Sequence, residues 1–212
     1  MPPISTTQTP GASLAEPALP ASPWGMFLRG FLKQPAMVGS IVPSSGRLIR
    51  RMLAPVDWAG TKLFVEYGPG VGTFSRAILD RLPADGVYLA IDTCPDFVRY
   101  LRQTIRDDRM RAVHGSAADV ERIVAEHGFE KADYVLSGLP FSTLPDGVGD
   151  AIADATRAVI RPGGAFLVYQ FAPKVHALLT PRWTAIDHAV EWWNVPPANL
   201  YWAHQPPARP RD

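Results

Sequence analysis

The chain has 212 residues, among them 22 prolines, one cysteine (Cys94), and 21 basic against 20 acidic side chains for a formal charge of +1. That length suits one domain with a sizeable core. The balanced charge excludes a global field drawing the molecule onto nucleic acid, and the lone cysteine excludes an intramolecular disulfide framework and fits a reducing cytosol. The histidines (His114, His127, His176, His188, His204) are scattered without ligand spacing, so no metal site is expected.

The first 23 residues carry six prolines and no basic residue. They lack the charged start of a secretory signal and the arginines of a mitochondrial one, and read as a disordered leader. The next segment, 24–53, places Trp24, Phe27, Leu28, Phe31 and Leu32 on one helical face, with Arg29 and Lys33 on the other. Between Pro17 and Val56 there is no acidic residue, whereas Arg29, Lys33, Arg47, Arg50 and Arg51 are all basic. Two readings fit this segment: an ordinary helix packed on the domain, or an interfacial helix lying on a membrane. No apolar run approaches the roughly 18 residues of a spanning helix; PGGAFLVYQFAP stops at 12.

From Thr61 onward short apolar runs alternate with amphipathic ones. LFVEY (63–67), VYLAI (87–91), RAVH (111–114), DYVLS (133–137) and AFLVYQF (165–171) predict buried strands. Between them, FSRAILDRL repeats Phe74, Ile78 and Leu82, and PDFVRYLRQTI opens on Pro95 and repeats Phe97, Leu101 and Ile105. VERIVAEHG ends on Gly128, a helix-terminating residue. GDAIADATRAVI runs into RPGG, where Pro162 cannot continue a helix and Gly163 and Gly164 permit a turn. This alternation predicts an α/β, doubly wound, mostly parallel sheet with helices on both faces and a ligand site at the carboxyl ends of its strands. TAIDHAVEWWNV (184–195) and NLYWAHQ (199–205), separated by PPA, predict an antiparallel C-terminal hairpin that completes seven strands. Four tryptophans, Trp183, Trp192, Trp193 and Trp202, belong to this region, and core and edge packing is their expected role.

The first strand leads through Glu66, Gly68, Gly70, Gly72 and Thr73 straight into a helix. Glycines at 68, 70 and 72 let the backbone turn sharply and approach a ligand without a Cβ in the way. A dinucleotide fingerprint would need glycine at position 73, and a triphosphate loop would need a lysine and a hydroxyl residue at its end; neither is present. Asp92, at the end of the second strand, stands where a carboxylate accepts two hydrogen bonds from a ribose diol. Sugar recognition survives while phosphate recognition fails. Adenosine carrying an amino acid meets that description, with Glu66 facing a positively charged group.

Together, E-x-G-x-G-x-G, Asp92 and the strand-helix context resemble the class I S-adenosylmethionine-dependent methyltransferases, so a doubly wound Rossmann-like fold and S-adenosyl-L-methionine as cofactor are expected. The resemblance implies cofactor contacts from Glu66, Gly68, Gly70, Gly72, Asp92 and Thr93. It implies adenine contacts after the third strand, from Ser116 and Ala117 or from Asp119, while His114 reads as a satisfied strand-end histidine. The fourth strand ends in Ser137-Gly138-Leu139-Pro140-Phe141, similar to the amine-orienting loop of amino-directed methyltransferases. There Ser137 and the loop carbonyls, Leu139 included, would orient the amine, and the face of Phe141 would shield the cationic centre. The general base stays open among Tyr169, His114, Glu66 and water.

Three further stretches, FLRGFLKQPAMVGSIVPSSGRLIRRML, SGLPF and WNVPPANLYW, look like the bacterial phospholipid N-methyltransferases, which convert phosphatidylethanolamine towards phosphatidylcholine. The resemblance covers about residues 24 to 203. It implies that Ser44 and Ser45 approach the methionine end of the cofactor, that 24–53 is a membrane contact and cofactor lid, that 54–205 is the methyltransferase domain, and that 206–212 is a flexible tail. The expected partners are a phospholipid substrate and an anionic membrane surface reached through 24–53, with no nucleic acid. The expected protein is a monomer when soluble, cytoplasmic and peripheral on the inner face of the cytoplasmic membrane. The alternatives are an RNA adenine N6-dimethyltransferase relative and a small-amine N-methyltransferase.

Overall fold

A computed structural model describes residues 46–171 and 175–208. The predicted strands form: β1 (Leu63–Tyr67), β2 (Val87–Asp92), β3 (Met110–His114), β4 (Ala132–Ser137), β5 (Ile160–Gln170), β6 (Ala185–Glu191) and β7 (Ala198–His204). They make one sheet in the order β3-β2-β1-β4-β5-β7-β6. The pairs among β1 to β5 are parallel, and β7 enters antiparallel between β5 and β6. Every residue of β1 and β4 is buried, as expected of central strands covered on both faces.

The two faces divide the side chains of β1. Leu63, Val65 and Tyr67 enter a core with α4 (Val120–Glu126), α5 (Val148–Val159) and α6 (Val175–Leu179). Phe64 enters the opposite core with α1 (Gly46–Met52), α2 (Ser75–Leu79) and α3 (Pro95–Thr104). Period-two alternation thus supplies both layers from one strand. Leu48, Met52 and Leu53, from the end of the segment 24–53, are fully packed in the second core, and the indole nitrogen of Trp202 donates to the Met52 carbonyl at 2.9 Å. The aromatic face at positions 24–32 lies outside the described residues.

Three expectations need correction. RPGG is part of β5 and not a separating turn: the helix ends at Val159, Ile160 pairs with Ala132, and the register shifts before Tyr134 meets Ala165. Gly163 absorbs that irregularity at φ +79, and a Cβ on Gly164 would stand 2.2 Å from the Asp133 carbonyl oxygen, so only glycine lets the strands close. The face of α3 is Val98 and Leu101 and not Phe97 and Leu101, since Phe97 is only half-buried. In the C-terminal region Trp183 and Trp202 are buried as expected, but β6 stops at Glu191 and Trp192 and Trp193 are 73% and 76% exposed.

Candidate active site at the carboxyl ends of the strands

Gly68, Gly70 and Gly72 all adopt positive φ, at 64°, 55° and 81°, in the left-handed region that side chains other than glycine seldom enter. The turn is fixed from outside. The N–H of Gly68 donates to the Ile91 carbonyl at 2.9 Å, and the N–H of Gly70 donates to the Asp92 carboxylate at 3.2 Å. Asp92 also accepts the N–H of Cys94 at 2.8 Å, so one buried side chain ties the glycine turn to the end of β2. Its carboxyl is pushed up, first by burial, against the opposing pull of these N–H donors and of the nearby His114.

Glu66 lies behind the turn and is 1% exposed. Its carboxylate accepts a hydrogen from the Tyr88 hydroxyl, which lies 2.9 Å from the Ser75 hydroxyl. No cation pairs with Glu66 among the described residues. Burial pushes its pKa up to about 7; the Tyr88 hydrogen bond opposes this and the charge of Asp92 adds to it. The turn therefore sits between two buried carboxylates, and nothing lies within 4 Å of where a Cβ on Gly70 would stand. This is an open approach to bare backbone beside negative charge.

The loop after β4 closes the other side. The Leu139 side chain lies over the turn, 3.0 Å from a Cβ placed on Gly68, and the Gly138 N–H reaches the Tyr67 carbonyl at 3.4 Å.

Residues 64–164 match the methyltransferase domain family. Over 178 residues the chain is 30% identical to an ornithine lipid N-methyltransferase of Singulisphaera acidiphila, which spans 83% of this chain and 93% of that protein. This chain belongs to the class I S-adenosylmethionine-dependent methyltransferases. A putative O-methyltransferase of Mycobacterium avium is 26% identical over 139 residues, 58% of its own length. The fold is shared with the Bacillus cereus O-methyltransferase in complex with S-adenosylhomocysteine (TM-score 0.66, 13% identity, 85% of this chain and 90% of that one). It is also shared with the Burkholderia thailandensis 1,6-didemethyltoxoflavin-N1-methyltransferase (TM-score 0.62, 16% identity, 92% and 94%). The residues present fit the family's cofactor, because an open glycine turn flanked by two buried carboxylates complements a ligand with a diol and positive charge.

The remaining predicted positions of this methyltransferase are placed less simply. The Ser137 hydroxyl is buried and accepts the Leu139 N–H at 3.2 Å, and the Leu139 carbonyl accepts the amide of buried Gln170; both expected amine acceptors thus already hold the loop's own shape. Phe141 packs edge-on against Phe166, with centroids 6.5 Å apart, and a Cβ on Gly149 of α5 would lie 3.6 Å from it. That puts its ring against the α4–α5–α6 core, where the Leu139 side chain, which also lies over the glycine turn, packs as well. Ser116 caps a 3-10 turn over 117–119 by accepting the Ala118 N–H at 3.2 Å, Ala117 is buried, and exposed Asp119 pairs with Arg122 at 3.4 Å. His114 donates to the Thr93 carbonyl at 3.2 Å, the satisfied strand-end role expected of it. Ser44 and Ser45 lie outside the described residues.

Tyr169 is brought to the site by packing. Its ring lies tilted by 30° against Phe74, with centroids 5.1 Å apart, and a Cβ on Gly138 would stand 2.1 Å from its hydroxyl, so Gly138 is required for this contact. Burial, and then the charge of Glu66, holds the hydroxyl well above the ordinary phenol range. In the ligand-free protein that hydroxyl is therefore a hydrogen-bond donor. Sequence reasoning passed over Tyr88, Gln170 and Gly138. The available signal was a tyrosine within the otherwise apolar strand VYLAI, since a buried phenol needs a hydrogen-bond partner.

Proposed function

We propose that this methyltransferase transfers methyl groups from S-adenosylmethionine to the headgroup amine of a membrane lipid, phosphatidylethanolamine and its methylated intermediates. The observation that carries the reading is the match with a lipid N-methyltransferase over 93% of that protein's length, beyond the cofactor-binding half that all such enzymes share. The match with an RNA-directed relative, the ribosomal RNA small subunit methyltransferase H of Nitrosomonas europaea, extends over 82 residues and 26% of its length. That difference favours lipid over RNA.

In this reading the cofactor, when bound, supplies an electrophilic methyl on a sulfonium centre. Asp92 accepts hydrogen bonds from its ribose, the open backbone at Gly70 receives its amino-acid portion, and Glu66 balances its positive charge. Leu139 holds the turn and the acceptor loop together, and Ser137 and Gln170 keep that loop's carbonyls oriented towards an incoming amine. An amine of this kind is mostly protonated at neutral pH and must lose a proton before it attacks; Tyr169, Glu66, His114 and water stay open for that step. The segment 24–53 is read as a membrane contact, with the protein peripheral on the inner face of the cytoplasmic membrane.

A second lipid is favoured by the same relative, whose name specifies an ornithine lipid. Radiolabelled methyl transfer to purified phosphatidylethanolamine, ornithine lipid and RNA separates the readings. Label in phosphatidylethanolamine supports the proposal, label in ornithine lipid alone moves it to the second lipid, and label only in RNA contradicts both.

A further inference from the structure

The hairpin between β6 and β7 points to the same end of the sheet as the glycine turn. In the antiparallel pairing of β5 with β7, Gln170 at the carboxyl end of β5 faces Asn199, and Ala198 faces Glu191 across the hairpin. The tip at 192–197 therefore lies beyond the carboxyl ends of the parallel strands. It carries Trp192, Trp193 and Val195, which are 73%, 76% and 71% exposed, and Phe171 at the end of β5 is also exposed. These are four of the six large hydrophobic side chains exposed among the described residues. β7 is three strands from β1, or about 15 Å at the usual strand spacing.

Positive charge is fastened beside this tip. Glu191, buried at the end of β6, accepts Arg47 and Arg51 from α1, each at 3.4 Å, and Arg51 also donates to the Val190 carbonyl at 2.8 Å. Arg50 of the same helix is exposed. Three arginines against one carboxylate leave a net positive surface next to two exposed indoles. Tryptophan favours the boundary between lipid headgroups and acyl chains, and arginine extends its charge towards lipid phosphates.

We propose that the β6–β7 tip is an interfacial anchor: Trp192 and Trp193 insert at the headgroup boundary of an anionic bilayer, with Arg47, Arg50 and Arg51 against its phosphates. The anchor rests on the lipid reading of the site and extends it, because a protein docked by this tip holds the glycine turn about 15 Å along the rim from the headgroup layer. It is distinct from the aromatic face expected at 24–32.

The test uses the full chain with Trp24→Phe, called the wild type below, its Trp192→Ser/Trp193→Ser variant, and vesicles of equal parts phosphatidylcholine and phosphatidylglycerol with brominated acyl chains. The wild type should show quenched tryptophan emission. The double variant should lose that quenching and partition at least tenfold more weakly, while a Trp192→Tyr/Trp193→Tyr variant keeps most of the binding. Methyl transfer to detergent-dispersed phosphatidylethanolamine should be unchanged by either pair. Absence of quenching in the wild type, vesicle binding by the serine variant as tight as wild type, or a wild-type dimer dissociated by the serine pair would each overturn the anchor. Failure of the wild type to methylate dispersed lipid would overturn the lipid reading instead, and the quenching would still decide whether the tip inserts.

Discussion

Glu66 and Glu191 are equally buried, each 1% exposed, and each closes the carboxyl end of a strand, yet their surroundings are opposite. Glu191 receives two guanidinium groups and the Trp193 N–H. Glu66 receives one neutral hydroxyl and faces a second carboxylate. A buried carboxylate matched by cations is part of the framework, and here it joins α1 to the hairpin. A buried carboxylate without a cation is costly in the ligand-free protein, and its charge becomes favourable only when something positive arrives. The contrast separates a structural acid from one that we propose is held ready for a ligand.

The largest expected effect comes from removing the ability of Glu66 to ionise. With a folded pKa of about 7 against an ordinary value of 4.5, the folded state binds more protons than the unfolded state between these values. Stability from this group is therefore fully present below 4.5 and lost as pH rises through about 7. Glu66→Gln, which stays neutral, should gain on the wild type over that range by up to about 3 kcal/mol. Denaturant titrations of both ligand-free proteins at pH 5 and pH 8 check the sign; a constant difference would remove Glu66 as an uncompensated acid.

Glu191→Ala should act oppositely, destabilising by about 2 kcal/mol through the loss of charged hydrogen bonds while leaving cofactor affinity unchanged in calorimetry. Weakened affinity in a folded Glu191→Ala protein would erase the distinction between the two acids. For Asp92→Ala, calorimetry should give cofactor binding weakened at least tenfold, about 1.4 kcal/mol, since both the proposed ribose acceptor and the tie between Gly70 and Cys94 disappear. The smallest effect belongs to Trp192→Ser, expected to change thermal stability by less than about 0.5 kcal/mol. A larger loss would mean that the indole is packed and not offered to a partner.

The fold was legible because its signals are local. Apolar runs bounded by turns marked every strand, and Pro95, Gly128 and the glycines at 68–72 marked helix ends and the ligand-facing turn. Glu66 and Asp92 stood out as acids within apolar strands, and the structure places both beside the glycine turn. The partners that give Glu66 and Glu191 different characters could not be read, since Arg51 meets Glu191 across 140 positions and Tyr88 meets Glu66 across the sheet. In the same way the absence of acids between Pro17 and Val56 suggested unpaired arginines, while in space Glu191 pairs with two of them. The exposure of Trp192 and Trp193 was hidden by a strand-like pattern that runs through WWNV. The tip instead leaves the sheet after Glu191, where the Trp193 N–H bonds that side chain and Asn194 donates to the Pro196 carbonyl at 2.8 Å.

The central proposal, that Glu66 has no cation partner among the described residues so that the cofactor supplies one, is tested most directly by calorimetric binding of S-adenosylmethionine between pH 6 and pH 8. If the ionised form is the one that binds, the affinity of the wild type should rise roughly tenfold over that range relative to Glu66→Gln. The wild type should also release an additional fraction of a proton near pH 7, seen as a dependence of the binding enthalpy on the buffer. Parallel affinity curves for the two proteins, with identical proton release, would contradict the account.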